Sequence, residues 1–254
     1  MKTPKPLTYL FKVSILLFLI YGALVLRSEA CLSSPFKSER NTIVYLNSNQ
    51  KSLRKIQQQE LIESSPDILI IEEWNGNNIQ LEEWKKAGYQ INLNEPDSFT
   101  FGCLVLSKYD ITFKKITPKL SDNCPYPIFF GELEVANKKI LVSPIHFPPP
   151  VPYCDFSTNK YMETLGANLK NLQAHFDQVI LMGDFNSMRL LSSFKVFKSF
   201  GLKDFGSWVN YTWRPFTFLP GMMRIDYAWS DIQDAKLSRI KLKELDHYGL
   251  VLEF

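Results

Sequence analysis

What the sequence lacks excludes several classes of protein. It has no internal repeat and no low-complexity tract, so repeat architectures and long disordered regions are excluded. Its four cysteines never form a Cys-x-x-Cys pair, which argues against a structural zinc site. The 15 prolines fall in local clusters that do not make a linker. What remains is a chain of 254 residues, 45% of them hydrophobic, which is enough for one large domain or two small ones.

A basic excess is also missing from the part of the chain that would fold. The whole chain has a formal net charge of +3. The first 30 residues alone account for this charge, with four basic residues and one acidic residue: Lys2, Lys5, Lys12, Arg27 and Glu29. The remainder is therefore neutral and has no global attraction for nucleic acid, although it leaves room for a local basic patch.

The first 30 residues have the features of a targeting segment. Basic residues precede an apolar run at residues 13–26, and the small residues Ser28 and Ala30 follow it. This pattern fits a secretory signal peptide that is cut after Ala30. It also fits an uncleaved membrane anchor, since a spanning helix needs about 20 residues and the run counted from Leu7 reaches that length. In both cases the basic flank stays in the cytoplasm, so the rest of the chain is expected on the periplasmic or extracellular side.

Two of the cysteines are predicted to form a disulfide bond. Cys124 and Cys154 lie among prolines on either side of a predicted hairpin that turns at Asn137. Antiparallel pairing about that turn places Cys124 opposite roughly residue 150, a few residues from Cys154. An exported protein can keep such a bond. Cys103 lies in an apolar run instead and is expected to be a buried thiol.

Apolar runs of two kinds alternate along residues 40–254, the predicted domain. Runs rich in β-branched and aromatic residues predict about nine to eleven strands, and amphipathic stretches predict about four helices. The predicted helices lie at residues 52–64, 79–86, 159–174 and 190–200. The predicted strands lie at residues 41–46, 68–71, 89–93, 99–107, 111–116, 128–135, 139–145, 179–182, 223–229, 235–242 and 248–254. The mixture indicates an α/β (α+β) fold, a four-layer sandwich of two mixed β-sheets flanked by helices.

Polar residues recur where the apolar strands end. These residues are Asn47, Glu73, His146, Asp184, Asn186, Asp246 and His247. Each one alone is explained as well by a turn, a helix start or a solvated edge. Asp226 is different, because it is predicted inside a strand, where a buried charge must be paired or functional. Together the set predicts an active site at one rim of the sandwich.

The motifs and their order resemble the endonuclease/exonuclease/phosphatase family of metal-dependent phosphodiesterases. The matching segments are Val44-Tyr45-Leu46-Asn47, Pro66-Asp67 through Glu73, residues 102–107, Ile145-His146, Gly183-Asp184-Phe185-Asn186, Arg224-Ile225-Asp226-Tyr227 and Asp246-His247. They extend from about residue 42 to the C-terminus. Thr212-Trp213, followed by a proline-rich loop and Asp226, is most similar to the membrane-attached bacterial branch.

The resemblance implies a metal side to the site. Glu73, seven residues after Pro66, matches the metal-ligating glutamate, with Asn47 beside the metal and Asp246 as an acid near it. Glu72 stands where the family often has glutamine. Carboxylate oxygens are hard donors, so the expected cofactor is Mg²⁺, or Mn²⁺ or Ca²⁺, and not zinc.

The resemblance also implies a phosphate side. Asp184 matches the residue that orients or deprotonates the attacking water, and Asn186 matches a phosphate contact. His247 matches the histidine at the phosphate, often assigned as the base, and Asp226 the carboxylate that orients it. His146 matches a second histidine found in the deoxyribonuclease and sphingomyelinase branches. Leu245 and Gly249 depart from a common serine and proline of the family, but neither departure removes a catalytic group.

The substrate is left open among three phosphate esters: nucleic acid, a lipid head group or a small molecule. The neutral domain gives little support for a nuclease. Apolar loops at residues 147–153 and 213–223 favour a lipid phosphodiesterase, although the loops could equally pack on each other. A monomer that attaches to the membrane through its N-terminal segment is expected. A non-catalytic binding module with the same fold is the alternative from a different class.

Overall fold

The computed structural model describes residues 5–30, 38–77, 79–97, 101–117, 126–149, 158–188, 194–207 and 210–254. The helices are α1 (Lys5–Ala30), α2 (Lys55–Ser64), α3 (Leu81–Lys86), α4 (Thr158–Leu172) and α5 (Lys195–Ser199). The strands are β1 (Thr42–Asn47), β2 (Ile68–Glu72), β3 (Gln90–Glu95), β4 (Cys103–Ser107), β5 (Ile111–Ile116), β6 (Ile128–Val135), β7 (Lys138–His146), β8 (Gln178–Asp184), β9 (Lys203–Asp204), β10 (Asp226–Ser230), β11 (Lys236–Ile240) and β12 (Gly249–Glu253).

The strands form two mixed sheets of six strands each. The first sheet has the order β11-β12-β1-β2-β4-β3, and the second has the order β5-β6-β7-β8-β10-β9. Each sheet contains one parallel pair, β1 with β2 and β7 with β8, and its other pairs are antiparallel. Helices α2 and α4 connect the parallel pairs, as parallel strands require. The predicted pair of mixed sheets is confirmed.

Alternation along the strands separates the core into layers. In β1, Ile43 and Tyr45 enter a cluster with residues of the second sheet, such as Ile180, while Val44 and Leu46 face the other way. The outer cluster on the first sheet includes Leu61 of α2 and Trp84 of α3. The outer cluster on the second sheet includes residues of α4 and α5. The order helix, sheet, sheet, helix is the predicted four-layer sandwich.

Several predicted boundaries were wrong. The described residues contain twelve strands instead of nine to eleven, because β9 is a polar two-residue strand without a hydrophobic pattern. The strand predicted at residues 223–229 begins at Asp226, so this acid opens β10 instead of lying inside a strand. The strand predicted at residues 99–107 begins at Cys103, where Gly102 approaches the Trp74 carbonyl too closely for any side chain.

The prediction for one cysteine is confirmed, whereas the prediction for two others is not tested. Cys103 is buried and free, as predicted. Cys124 and Cys154 lie outside the described residues, so their disulfide stays a prediction.

Helix α1 contains an apolar stretch, Tyr9–Leu26, that is long enough to cross a membrane and is 6% buried. A signal peptide and an anchor share these properties, so both interpretations of residues 1–30 stay open.

Candidate active site

Carboxyl ends of strands from both sheets meet at one rim of the sandwich. β1 ends at Asn47, which pairs with Glu72 at the end of β2. β7 ends at His146, which pairs with Asp184 at the end of β8. Because parallel strands end on the same side of a sheet, the two crossover units bring these polar residues together. The sandwich thus assembles one polar site from segments that are far apart in sequence.

His247 and Asp226 form a buried pair at this rim. Nδ1 of His247 lies 3.1 Å and 3.0 Å from Oδ1 and Oδ2 of Asp226. The hydroxyl of buried Thr212 accepts hydrogen bonds from the backbone N–H groups of Ile225 and Asp226, at 3.1 Å and 3.0 Å. Thr212 therefore fixes the backbone that carries the acid. Nε2 of His247 is left directed toward Asp184, 3.9 Å from its Oδ2.

Competing effects set the pKa of His247 and that of neighbouring Asp184. Burial alone would lower the pKa of His247, but the carboxylates of Asp226, Asp184 and Asp246 raise it to about 10. The imidazole is therefore protonated at neutral pH and can donate from Nε2. The pKa of Asp184 is raised well above its usual value by burial and by the charge of Asp226, while His247 opposes the shift. Asp184 consequently holds a proton more tightly than a solvated aspartate.

Asp184 and Asn186 are held by the turn that follows β8. Gly183 lies within β8, one residue before this turn, and packs against Ile145, whose carbonyl oxygen would lie 1.9 Å from a β-carbon at Gly183. The backbone N–H of Asn186 donates to Oδ1 of Asp184 at 2.7 Å. The side-chain amide of Asn186 donates to the Phe147 carbonyl at 2.7 Å, so this amide lies between the ends of β7 and β8. The other carboxylate oxygen of Asp184, Oδ2, faces Asn47 and His247.

The predicted metal side lies next to Asp184. Nδ2 of Asn47 donates to Oε1 of Glu73 at 3.0 Å and lies 3.4 Å from Oδ2 of Asp184. Glu73 has a positive φ of 56°, a sparsely populated conformation that is typical of functional sites. Burial raises the pKa of Glu73 most, and Asp246 raises it further. Asp246 accepts from the Asn49 amide through Oδ2 at 2.7 Å.

These residues fit a divalent cation. Oδ1 of Asp246 is buried and has no hydrogen-bond partner among the described residues. Glu73 and Asp246 are two acids close enough to repel each other. Among the described residues that shift the pKa of Glu73, His247 is the one cationic side chain. A hard cation would satisfy the unpaired oxygen and remove the repulsion.

A second group with metal-ligand spacing consists of Asp184, Asp226 and His247, whose donor atoms lie within 4.8 Å of one another. This group could bind a metal by distance alone. However, Nδ1 of His247 is already bonded to Asp226, and a cation at Nε2 would have to displace the proton that the raised pKa retains. The set around Glu73 and Asp246 has no such competitor.

Sequence reasoning missed the role of Glu72. Its side chain is 1% exposed, and Oε2 accepts from the Tyr45 hydroxyl at 2.9 Å and from the Asp184 backbone N–H at 3.3 Å. Burial and Asp184 raise its pKa well above the usual value, which favours the protonated form of the acid. A neutral acid has the shape of glutamine, which explains the departure from the family at this position. The alternation of Ile68, Ile70 and Glu72 toward the inter-sheet core was the available signal.

All eight predicted site residues reach this rim. Asn47, Glu73, Asp184, Asp226 and His247 form one connected cluster. Asp246 lies beside that cluster, and Asn186 joins it through its backbone. His146 lies next to Glu72, with Nδ1 4.0 Å from Oε2, and its ring is 5.7 Å from that of Phe101.

Comparison with known proteins agrees with this arrangement. A profile of the Endonuclease/Exonuclease/phosphatase family matches residues 46–240. A search of curated proteins found no significant match. Truncated TDP2 from Caenorhabditis elegans superimposes with a TM-score of 0.62 at 15% identity, covering 85% of this chain and 98% of that one. The 3′ phosphatase NExo from Neisseria, bound to a product DNA hairpin, gives 0.59 at 16% identity, with coverage of 84% and 99%.

A protein from Leptotrichia buccalis described by the same family name gives a TM-score of 0.58 at 17% identity, covering 84% of this chain and 99% of that one. At such low identities the superpositions show the fold. The profile match, in contrast, extends over most of the sequence. The chain therefore belongs to the Endonuclease/Exonuclease/phosphatase family.

Proposed function

We propose that this protein is a divalent-metal-dependent hydrolase of phosphate esters that acts outside the cytoplasmic membrane. The observation that carries the proposal is the His247–Asp226 pair directed at Asp184, with Glu73 and Asn47 on the other side of Asp184. This arrangement places a proton donor, a proton acceptor and a cation site around one point. Hydrolysis of a phosphate ester needs these three elements.

Glu73 and Asp246 would hold Mg²⁺, or Mn²⁺ or Ca²⁺, with Asn47 beside the ion. When bound, the ion supplies positive charge that offsets the charge gathering on the phosphate oxygens. Asn47 holds Glu73 in place by its 3.0 Å hydrogen bond. The left-handed backbone at Glu73 aims the carboxylate away from the path of β2.

The other residues bind the phosphate and move protons. Asp184 accepts a proton from the attacking water, and its raised pKa makes it a better base than an ordinary aspartate. His247, protonated and fixed by Asp226, donates from Nε2 to a phosphate oxygen. Asn186 contacts the phosphate beside them. His146, next to Glu72, stabilises the phosphate or protonates the leaving oxygen.

Location follows from the N-terminal segment. The apolar helix α1 supports export, as a signal peptide or as an anchor. The catalytic domain, residues 40–254, would then lie on the periplasmic or extracellular side as a monomer.

A nuclease is the second candidate, because two similar structures contain bound DNA. The NExo structure holds a product DNA hairpin, and TDP2 from D. rerio is complexed with a single-strand DNA product. For this chain the neutral charge of residues 31–254 is unfavourable to such a substrate. A binding module without catalysis is the alternative from another class, and the complete acid and histidine set argues against it.

The test is an activity screen of the full-length protein in detergent, with Mg²⁺ or Mn²⁺. The substrates are plasmid DNA, RNA, sphingomyelin, phosphoinositides and isoprenoid pyrophosphates. Turnover that EDTA removes and that Asp184→Asn abolishes is the expected result. If the metal binds but no substrate turns over, the proposed function is wrong. Unchanged cellular phenotypes of Asp184→Ala and His247→Ala would favour the binding module.

A further inference from the structure

One segment beside the active site exposes large apolar side chains. We name residues 215–223 the aromatic loop. Phe216 is 58% exposed and Phe218 is 81% exposed, and their rings stack with centroids 5.5 Å apart. Met222 and Met223 are each 36% exposed. The packing of this loop on the domain, which was one interpretation of the sequence, therefore does not cover the two phenylalanines.

The aromatic loop is held in place at both ends. Arg214 is fully buried, and its guanidinium donates to the carbonyls of Leu242 and Leu245, at 2.9 Å and 3.0 Å. At the other end, the backbone N–H of Gly221 donates to the Tyr248 hydroxyl at 3.1 Å. A loop anchored in this way cannot fold its phenylalanines into the core. Keeping such apolar area in water is unfavourable by about 25 cal/mol for each Å².

Helix α1 contacts the same loop. The Tyr21 hydroxyl donates to the carbonyl of Met222 at 3.3 Å, and its ring lies 6.2 Å from that of Tyr211. Tyr21 belongs to the apolar stretch Tyr9–Leu26, of which 6% is buried. Arg27 is the first charged residue after that stretch, six residues beyond Tyr21. At a rise of 1.5 Å per residue, Tyr21 lies roughly 9 Å from Arg27 along the axis of α1, on the side of the apolar stretch.

We propose that α1 is retained as a membrane anchor and that the aromatic loop inserts into the lipid surface of the membrane that α1 then spans. With Arg27 at the head groups, the Tyr21 contact holds the loop at the boundary between head groups and acyl chains. Amphipathic segments at a membrane surface bury their apolar face by about 5–10 Å, which is the depth that this contact sets. Phe216 and Phe218 are the side chains that enter the lipid.

The inserted loop would place the active site at the lipid surface. Trp213, directly before Arg214, makes isolated β-bridges with both Met223 and His247. The base of the loop is thus hydrogen-bonded to the segment that carries the catalytic histidine. If the proposed function holds, on which this step rests, the favoured substrate is a phosphate ester of a membrane lipid, whose head group lies at that level.

The insertion is tested by fluorescence of the full-length protein reconstituted in phosphatidylcholine and phosphatidylglycerol vesicles. Phe218→Trp adds one indole to the five native tryptophans, whose emission is subtracted with the wild-type protein. The matched control is Lys138→Trp, an exposed position at the start of β7, about 26 Å along that strand from His146. Lipids brominated near the top of the acyl chains should quench at least half of the added Phe218→Trp emission and none of the control emission. Equal quenching of both variants, or of neither, would overturn the proposal.

A second measurement separates this inference from the proposed function. The double variant Phe216→Ser/Phe218→Ser should hydrolyse a phosphate ester of vesicle lipids at least tenfold more slowly than the wild type. Its rate on soluble bis(p-nitrophenyl) phosphate should be unchanged, because the site itself is intact. An equal loss on both substrates would refute a lipid-contact role. If the wild type hydrolyses neither substrate, the proposed function fails, whereas the quenching result still decides the insertion.

Discussion

His247, just before β12 of the first sheet, and Asp226, the first residue of β10 in the second, share a hydrogen bond at the rim of the sandwich, with Nδ1 3.0 Å from Oδ2. The bond fixes the ring orientation and, with the neighbouring acids, raises the pKa of His247 to about 10. Removing the charge of Asp226 should therefore change both the protonation and the alignment of the histidine.

Asp226→Asn is expected to reduce kcat by about 10²- to 10⁴-fold, the range for loss of an orienting carboxylate. The pKa of His247, followed by NMR, should fall from about 10 toward 6.5. The NMR signals of exposed His175 supply the internal reference. A variant with full activity and an unmoved His247 signal would contradict the assigned pairing.

Stability should fall with rising pH because of the same histidine. Its folded pKa, about 10, exceeds the unfolded value of 6.5, so its contribution is complete below pH 6.5 and is lost between pH 6.5 and 10. The free energy of unfolding, measured by urea denaturation, should decline across this window in the wild type. His247→Gln should show a flatter profile. Parallel profiles for the two proteins would contradict the raised pKa.

Glu72→Gln should preserve the fold and make it more stable at alkaline pH. The folded pKa of Glu72 lies above its unfolded value of 4.5, so the protonated acid stabilises the fold at low pH and this advantage is lost as pH rises. Glutamine retains the acceptor for Tyr45 and removes the titration. The gain should be near zero at pH 4 and, at pH 8, about 1.4 kcal/mol for each unit of the shift. A variant less stable than the wild type at pH 8 would show that Glu72 is ionised.

Asp184→Asn should separate activity from stability. Loss of the proton acceptor should lower kcat by about 10²- to 10⁴-fold, while relief of repulsion with Asp226 should leave the melting temperature unchanged or higher. Asp231→Asn is the matched control, because Asp231 accepts from the Val179 backbone at the opposite end of β8. Its activity should stay within a factor of two of the wild type. Equal losses in both variants would point to a structural effect.

Mg²⁺ should stabilise the wild type against heating, since a ligand that binds only the folded state adds about 2.7 kcal/mol at 100 times its Kd. Glu73→Gln removes one donor carboxylate and should abolish most of this shift in differential scanning calorimetry. Glu72→Gln, one residue away, should keep the shift, because the Glu72 side chain is bonded to Tyr45 and to the Asp184 backbone. Loss of the shift in Glu72→Gln alone would place the metal elsewhere.

The sequence predicted which polar side chains lie together at the rim better than it predicted the limits of the strands. Asn47, His146 and Asp184 could be found because each directly follows an apolar run, and such runs reliably mark strand ends. Asp226 was predicted inside a strand that in fact begins there, because hydrophobicity does not distinguish the isolated bridge at Met223 from a strand.

Other features depend on contacts between segments distant in sequence. The hydrogen bonds that Thr212 accepts from the start of β10 have no local pattern. Strand β9 is a short polar pair, and its Asp204 is held by Arg224, which lies 20 residues away. The raised pKa of Glu72 depends on the burial that only the assembled sheets provide.

Three contacts at the rim cross from one sheet to the other: His247 to Asp226, the Asp184 N–H to Glu72, and Asn47 to Asp184. Neither sheet contains a complete site. A slip of one sheet past the other by a single residue, about 3.3 Å, would break all three contacts, yet most apolar contacts between the sheets could re-form. Activity therefore requires the two sheets to be aligned to within one residue. A compact state with loosened packing between the sheets would be inactive.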